Sequence, residues 1–301
     1  MTESRGAYRY LTPETVARFR NMNLAARSVV EGFVSGLHKS PFHGFSVEFA
    51  EHREYTPGDN IKYIDWMALA RTDRYYVKQF EEETNLRCHL LLDVSGSMGY
   101  ASSGALTKFE YGCYLAGALA YLMVRQQDSV GLVTFDNEIV AHIPPRATMS
   151  HLNVVLRALE DTTPGSVTRV GNIFHHLAET LKRRGLIIIL SDLYDDRREV
   201  MRALRHFKHK HHEVIIFHLF DRAELEFPFE RLTQFIDMET RQKLQVDPRY
   251  VRDEYRRHLD AFINDYRRDC SESHIEYVVT DTSVPFDLML TAYLSRRKRY
   301  G

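Results

Sequence analysis

Asp93, Ser95 and Ser97 set three oxygen-bearing side chains at alternate positions, D-x-S-x-S, directly after the apolar run Leu90-Leu91-Leu92. One carboxylate and two neutral hydroxyls supply part of the oxygen shell that a hard divalent cation such as Mg²⁺ prefers, with Mn²⁺ or Ca²⁺ as alternatives. With so few anionic donors, a bound ion keeps much of its positive charge, and a carboxylate from another molecule can complete the shell. Asp, Gly and Ser are also the residues of any strand-terminating turn. The pentapeptide alone therefore leaves both readings open.

The missing donors must come from other parts of the chain. Residues 88–93, 129–135, 185–192, 213–221 and 274–281 are short apolar runs bounded by polar or Gly residues, and they read as buried strands. Helical patterns cover 106–125, 150–160, 173–181, 197–207, 250–269 and 287–297. Residues 139–143 read as an antiparallel edge strand that Pro144-Pro145 closes, and 233–247 as a small inserted hairpin about Glu239-Thr240-Arg241. Strands alternating with helices imply an α/β fold with a mostly parallel sheet covered on both faces. Such sheets bind ligands outside the carboxyl ends of their strands, where strand order reverses. Asp93 and Asp192 both follow buried strands at that edge, and Thr168 lies in a loop of the same edge. Asp93, Ser95, Ser97, Thr168 and Asp192 thus form one candidate ligand set drawn from three loops. Gly96, Met98 and Ser191, interleaved with these donors, are candidates for partner contact.

Residues 1–84 read as a smaller α+β module before the sheet domain of residues 85–301. A helix is expected over 11–36, with a Thr12-Pro13-Glu14 start. Strands are expected at 45–49 and 76–80, separated by a turn at 55–60. The chain's one Trp lies in Ile64-Asp65-Trp66. Gly58, Asp59, Asp65, Trp66 and Arg71 read as an ordered corner, in which Asp65 and Arg71 can pair, with a partner-facing surface as the alternative.

At 44% hydrophobic and 27% charged residues the composition is that of a globular protein, and a formal net charge of −1 gives no general attraction to nucleic acid or anionic membrane. No run reaches the length of a membrane span, and the N-terminus has no apolar signal region, so the expected location is cytoplasmic. Cys88, Cys113 and Cys270 have no metal-binding spacing and read as buried reduced thiols. The run His206-Phe207-Lys208-His209-Lys210-His211-His212 reads as the polar end of a helix, where cations suit the macrodipole. The tail Arg296-Arg297-Lys298-Arg299 reads as a solvated last turn.

The donor set resembles the metal-ion-dependent adhesion site of the von Willebrand factor A domain. That site combines D-x-S-x-S, a Thr in a later loop and an Asp after the next central strand; the corresponding residues are Asp93, Ser95, Ser97, Thr168 and Asp192. With Gly58-Asp59, Ile64-Asp65-Trp66, Ala70-Arg71 and Ser191-Asp192-Leu193-Tyr194-Asp195-Asp196 the chain also resembles the bacterial domain-of-unknown-function 58 family over nearly its whole length. The resemblance implies a von Willebrand factor A-like fold. It also implies association with MoxR-type AAA+ ATPases as a partner or adaptor.

Two function classes fit these residues. The first is a reversible, metal-dependent protein-binding module. The second is a Mg²⁺-dependent hydrolase, such as a phosphatase using Asp93 as nucleophile. Haloacid-dehalogenase-type chemistry needs a second Asp two residues on, and Ser95 stands there. Gly96-Ser97-Met98-Gly99 is not the hydrolase G-x-S-x-G, and no P-loop is present. The sequence therefore favours binding over catalysis.

Overall fold

Each apolar run buries both its faces only if neighbours pair along its edges and helices cover it. The computed structural model describes residues 13–16, 21–39, 52–54, 76–78, 86–102, 106–165 and 170–297. Its elements run α1 (Pro13–Val16), α2 (Met22–Lys39), β1 (His52–Glu54), β2 (Tyr76–Lys78), β3 (Arg87–Asp93), α3 (Lys108–Arg125), β4 (Ser129–Phe135) and β5 (Ile139–Arg146). They continue α4 (Met149–Asp161), α5 (Val170–Thr180), β6 (Leu186–Ser191), α6 (Arg197–His209), β7 (Glu213–Phe220) and α7 (Arg222–Glu226). Last come β8 (Thr233–Ile236), β9 (Lys243–Val246), α8 (Pro248–Glu272), β10 (Glu276–Asp281) and α9 (Phe286–Arg297).

The main sheet has six strands in the order β10-β7-β6-β3-β4-β5, parallel except for β5, which runs antiparallel to β4. From β3 the chain first builds outward to β4 and β5, then returns to the other side of β3 for β6, β7 and β10. Strand order therefore reverses between β3 and β6, and the loops after these two strands meet at the switch point.

Alternate side chains divide between the two faces, as the period of two requires. Leu90 and Leu92 join a core with Val29 of α2, Leu119 of α3, Leu156 of α4 and Leu290 of α9. Leu91, between them, joins the opposite core with Phe174 of α5, Leu204 of α6 and Tyr266 of α8. The small residues of α3 let it lie against the sheet: a Cβ on Gly112 would fall 2.9 Å from Leu92 Cδ1. Helix α2 buries Ala25, Ala26, Val29, Val30 and Phe33 in the same core as α3.

One expectation differs from the structure. The edge strand does not stop at Pro144-Pro145; β5 continues to Arg146, with its register against β4 shifting between Val130 and Leu132. Proline lacks an N–H for the ladder, yet an edge strand leaves one side unpaired and tolerates it. Strand β2 lies within the predicted 76–80 strand, whose last two residues fall outside the described ones, and its antiparallel partner β1 has no signal in the sequence pattern. The 233–247 hairpin is present as β8 and β9. The 45–49 strand, the 55–60 turn and the Gly58, Asp59, Asp65, Trp66 and Arg71 corner lie outside the described residues.

The His run ends α6 as expected, and His212 then turns inward, buried, with its Nε2 3.0 Å from Leu181 O. All three cysteines are buried and unbonded. Among the described residues no helix is long and apolar enough to cross a membrane.

Candidate functional site

The loop after β3 folds back on its own aspartate. Ser95 N–H donates to Asp93 Oδ1 at 2.9 Å, and the hydroxyls of Ser95 and Ser97 lie 3.0 Å apart. A short 3₁₀ turn over Ser97–Gly99 then drops Met98 into the core. The loop after β6 closes on the same carboxylate: Ser191 Oγ donates to Asp93 Oδ2 at 2.6 Å and accepts from Leu193 N at 2.9 Å. Leu193 makes this turn in the left-handed region, at φ 51°, although it carries a Cβ. A bulky residue there costs about 1–3 kcal/mol, and such strain persists where the surroundings hold it.

Asp93 and Asp192 are both fully buried. Burial, and then the charge of Asp192, raise the Asp93 carboxyl to about 7, against the pull of its hydrogen bonds to Ser191 and Ser95. This group is thus favoured neutral below about pH 7 in the folded, metal-free chain. Its contribution to stability is present below the ordinary carboxylate value and is lost as pH rises through about 7. Relative to Asp93→Asn, the metal-free wild type is expected to lose at least the ~1.4 kcal/mol that one pKa unit represents between pH 4 and pH 8. Urea denaturation of both proteins in chelator measures the difference; a wild type that loses no stability relative to Asp93→Asn as pH rises contradicts it.

Asp192 has a partner that the sequence did not announce. Lys108, in the first turn of α3, is 1% exposed and donates to Asp192 Oδ2 and to Glu224 Oε1, each at 2.8 Å. Its Nζ also lies 5.1 Å from the centre of the Tyr194 ring. Burial pulls the ammonium down, but the charges of Asp192 and Glu224 outweigh this and hold its pKa above that of an ordinary lysine. The helix N-terminus is itself positive, so a cation there needs such carboxylates. Glu224 is fixed in turn, since its other oxygen accepts from Asp221 N at 2.7 Å in the capping box of α7.

His218 supports the same turn from β7. Its Nε2 lies 2.7 Å from the Asp192 carbonyl, which can only accept, so Nε2 carries the proton and Nδ1 accepts from Tyr277 Oη at 2.6 Å. Burial lowers this imidazole to about 4, which keeps it neutral.

The structure therefore brings together Asp93, Ser95, Ser97 and the Asp192 turn at the switch point. Thr168 lies outside the described residues. The loop leading toward it is tied to the first loop by Gly165 N–H, which donates to Val94 O at 2.5 Å. Gly96, Met98 and Ser191 were the candidates for partner contact. All three are buried; Met98 fills core space and Ser191 holds Asp93. Lys108, Glu224 and His218 were missed because a single charged or imidazole side chain carries no signal until its distant partners are known.

Hard oxygen donors, two of them neutral hydroxyls in contact, fit Mg²⁺ rather than a soft metal. Among the described residues no group of three or more His, Cys, Asp or Glu is arranged to hold a metal. Any ion at this rim would depend on the serines.

Comparison with known proteins places these features in a family. The family described as "Protein of unknown function DUF58" matches residues 51–262. The chain belongs to the DUF58 family. The "Uncharacterized protein Rv1480" of Mycobacterium tuberculosis is 25% identical over 261 residues, covering 85% of this chain and 81% of that one. Among solved structures, BatB from Bacteroides thetaiotaomicron matches with a TM-score of 0.47 at 13% identity, over 71% of this chain and 99% of that one. The SpRpn10 VWA domain matches with a TM-score of 0.31 at 15% identity, over 44% of this chain and 75% of that one. This DUF58 chain has the von Willebrand factor A-like architecture its motif implies: a mostly parallel sheet, helices on both faces and the D-x-S-x-S loop at the switch point.

Proposed function

We propose that this chain is a metal-dependent protein-binding module and not an enzyme. In this reading Asp93, Ser95 and Ser97, with Thr168 and Asp192, hold Mg²⁺. When bound, the ion supplies a Lewis-acidic position that a carboxylate of a partner protein occupies. The observation that carries the reading is the pair of serine hydroxyls 3.0 Å apart beside a buried carboxylate, at the rim where strand order reverses. Family resemblance supports a MoxR-type AAA+ ATPase as the partner.

The chain's own residues orient the site. Ser191 fixes the Asp93 carboxylate, His218 holds the Asp192 turn, and Lys108 engages the Asp192 side chain. The phosphatase alternative finds less support. Both Asp93 oxygens accept hydrogen bonds and the side chain is fully buried, which blunts it as a nucleophile. Ser95 also lacks the carboxyl needed as acid and base.

Capture from native lysate tests the reading. An AAA+ ATPase is expected to be retained in Mg²⁺ and released in EDTA, and to be lost on Ser95→Ala with the fold intact by circular dichroism. Equal retention in chelator contradicts the metal dependence, and Mg²⁺-dependent phosphatase turnover abolished by Asp93→Asn would favour the hydrolase.

A further inference from the structure

A cavity of about 830 Å³ opens next to the switch point, with Ser97 and Lys108 in its wall. Its floor is aromatic and prepacked: Phe227 stacks on Tyr255 at 4.5 Å and on Phe235 at 5.7 Å, and Phe229 meets Phe235 edge-on at 5.1 Å. Phe227 holds its position with a left-handed backbone, φ 48°, as the C-cap of α7. At the mouth, apolar side chains face water: Leu244 is 64% exposed, Ile236 46% and Tyr194 41%. An apolar surface continuous with a pocket and rimmed by polar groups marks an interaction site.

Charge selects the occupant. Among the described lining residues, Lys108 is the one lysine or arginine, against the carboxylates of Glu224, Asp237, Glu239 and Glu254, and His258 Nε2 lies 3.6 Å from Glu254 Oε1. The Lys108 charge is already engaged by Glu224 and Asp192. Aromatic faces attract cations, and Lys108 over Tyr194 shows one such pairing within this wall.

We infer that this pocket docks a partner segment pairing a large aromatic side chain with an adjacent lysine or arginine. The inference names the kind of protein segment recognised and rests on the protein-binding reading above for that partner being a protein. The pocket itself needs no metal. The aromatic side chain extends the ring stack on Phe227 and Tyr255, and the cation meets the Glu254 and Asp237 rim.

The probes are acetyl-Phe-Arg-amide and acetyl-Phe-Glu-amide, titrated by NMR against the full chain in Mg²⁺ and in EDTA. The cationic probe is expected to bind at least tenfold more tightly than the anionic one, in both buffers. Glu254→Lys changes a side chain that is 66% exposed, so it leaves folding intact, and it should weaken the cationic probe at least fivefold. Absence of binding, equal affinities or a preference for the anionic probe overturns the inference. So does a dimer, seen by sedimentation, that Glu254→Lys dissociates, because a second copy would then be the occupant. Cationic-probe binding in a protein that fails to take up Mg²⁺ upholds the pocket and refutes the metal reading. Mg²⁺ uptake without probe binding does the reverse.

Discussion

Replacing Lys108 by methionine is expected to destabilise the metal-free protein by about 3–5 kcal/mol, the cost of leaving a buried ion-pair partner uncompensated. The magnitude follows from where the two carboxylates sit. Asp192 is fully buried and Glu224 partly so, and each has an oxygen 2.8 Å from the Lys108 ammonium. Removal of that charge leaves Asp192 facing Asp93, already the neighbour that raises the Asp93 carboxyl. A buried triad is not in itself a strong source of stability, so the loss should be recovered when the partners are neutralised together. Lys108→Met combined with Asp192→Asn and Glu224→Gln is expected to regain most of the deficit. Mg²⁺ should also raise the melting temperature of Lys108→Met more than that of the wild type, because a bound cation relieves the same repulsion. Chemical denaturation in chelator reads the first effect. A cost below about 1 kcal/mol, the level of a surface pair, would mean that the triad does not hold the site together.

Ser191→Ala is the second large effect. Its hydroxyl does two jobs at once, donating to Asp93 Oδ2 at 2.6 Å and accepting from Leu193 N at 2.9 Å. The alanine variant leaves a buried N–H unpaired, costing about 1–3 kcal/mol, and releases the carboxylate from its fixed orientation. Groups that orient a metal ligand typically change affinity by about 10–100-fold, and a loss of that size is expected for Mn²⁺, measured by electron paramagnetic resonance of the free ion. A variant that is less stable yet binds Mn²⁺ unchanged would confine Ser191 to a structural role.

Much of the scaffold was legible because the sheet strands announce themselves locally. Ser129–Phe135 is an apolar run bounded by polar residues, and it forms β4 with the predicted ends. Leu186–Ser191 is buried along its whole length, as its composition implies. Asp93, Ser95 and Ser97 were legible because their spacing is a property of one loop. What the sequence hid depends on contacts between remote positions. Lys108 lies 84 residues from Asp192 and 116 from Glu224, and a lysine at a helix start reads as solvated until that geometry is known. The left-handed turn at Leu193 had no glycine to signal it; it is held by the Ser191 hydroxyl and by burial. Met98, interleaved with polar donors, read as a candidate for partner contact, and the 3₁₀ turn after Gly96 carries its side chain into the core. The β5 prolines read as a stop signal, because strand position within the sheet, which makes them tolerable, is not a local property.

Titration of the metal-free wild type and Ser95→Ala with Mg²⁺ by calorimetry, at pH 8 where Asp93 is ionised, tests the adhesion site most directly. One saturable site in the wild type, with Ser95→Ala at least tenfold weaker, is the predicted result. Absence of saturable binding in the wild type, or the same affinity without the Ser95 hydroxyl, would contradict it.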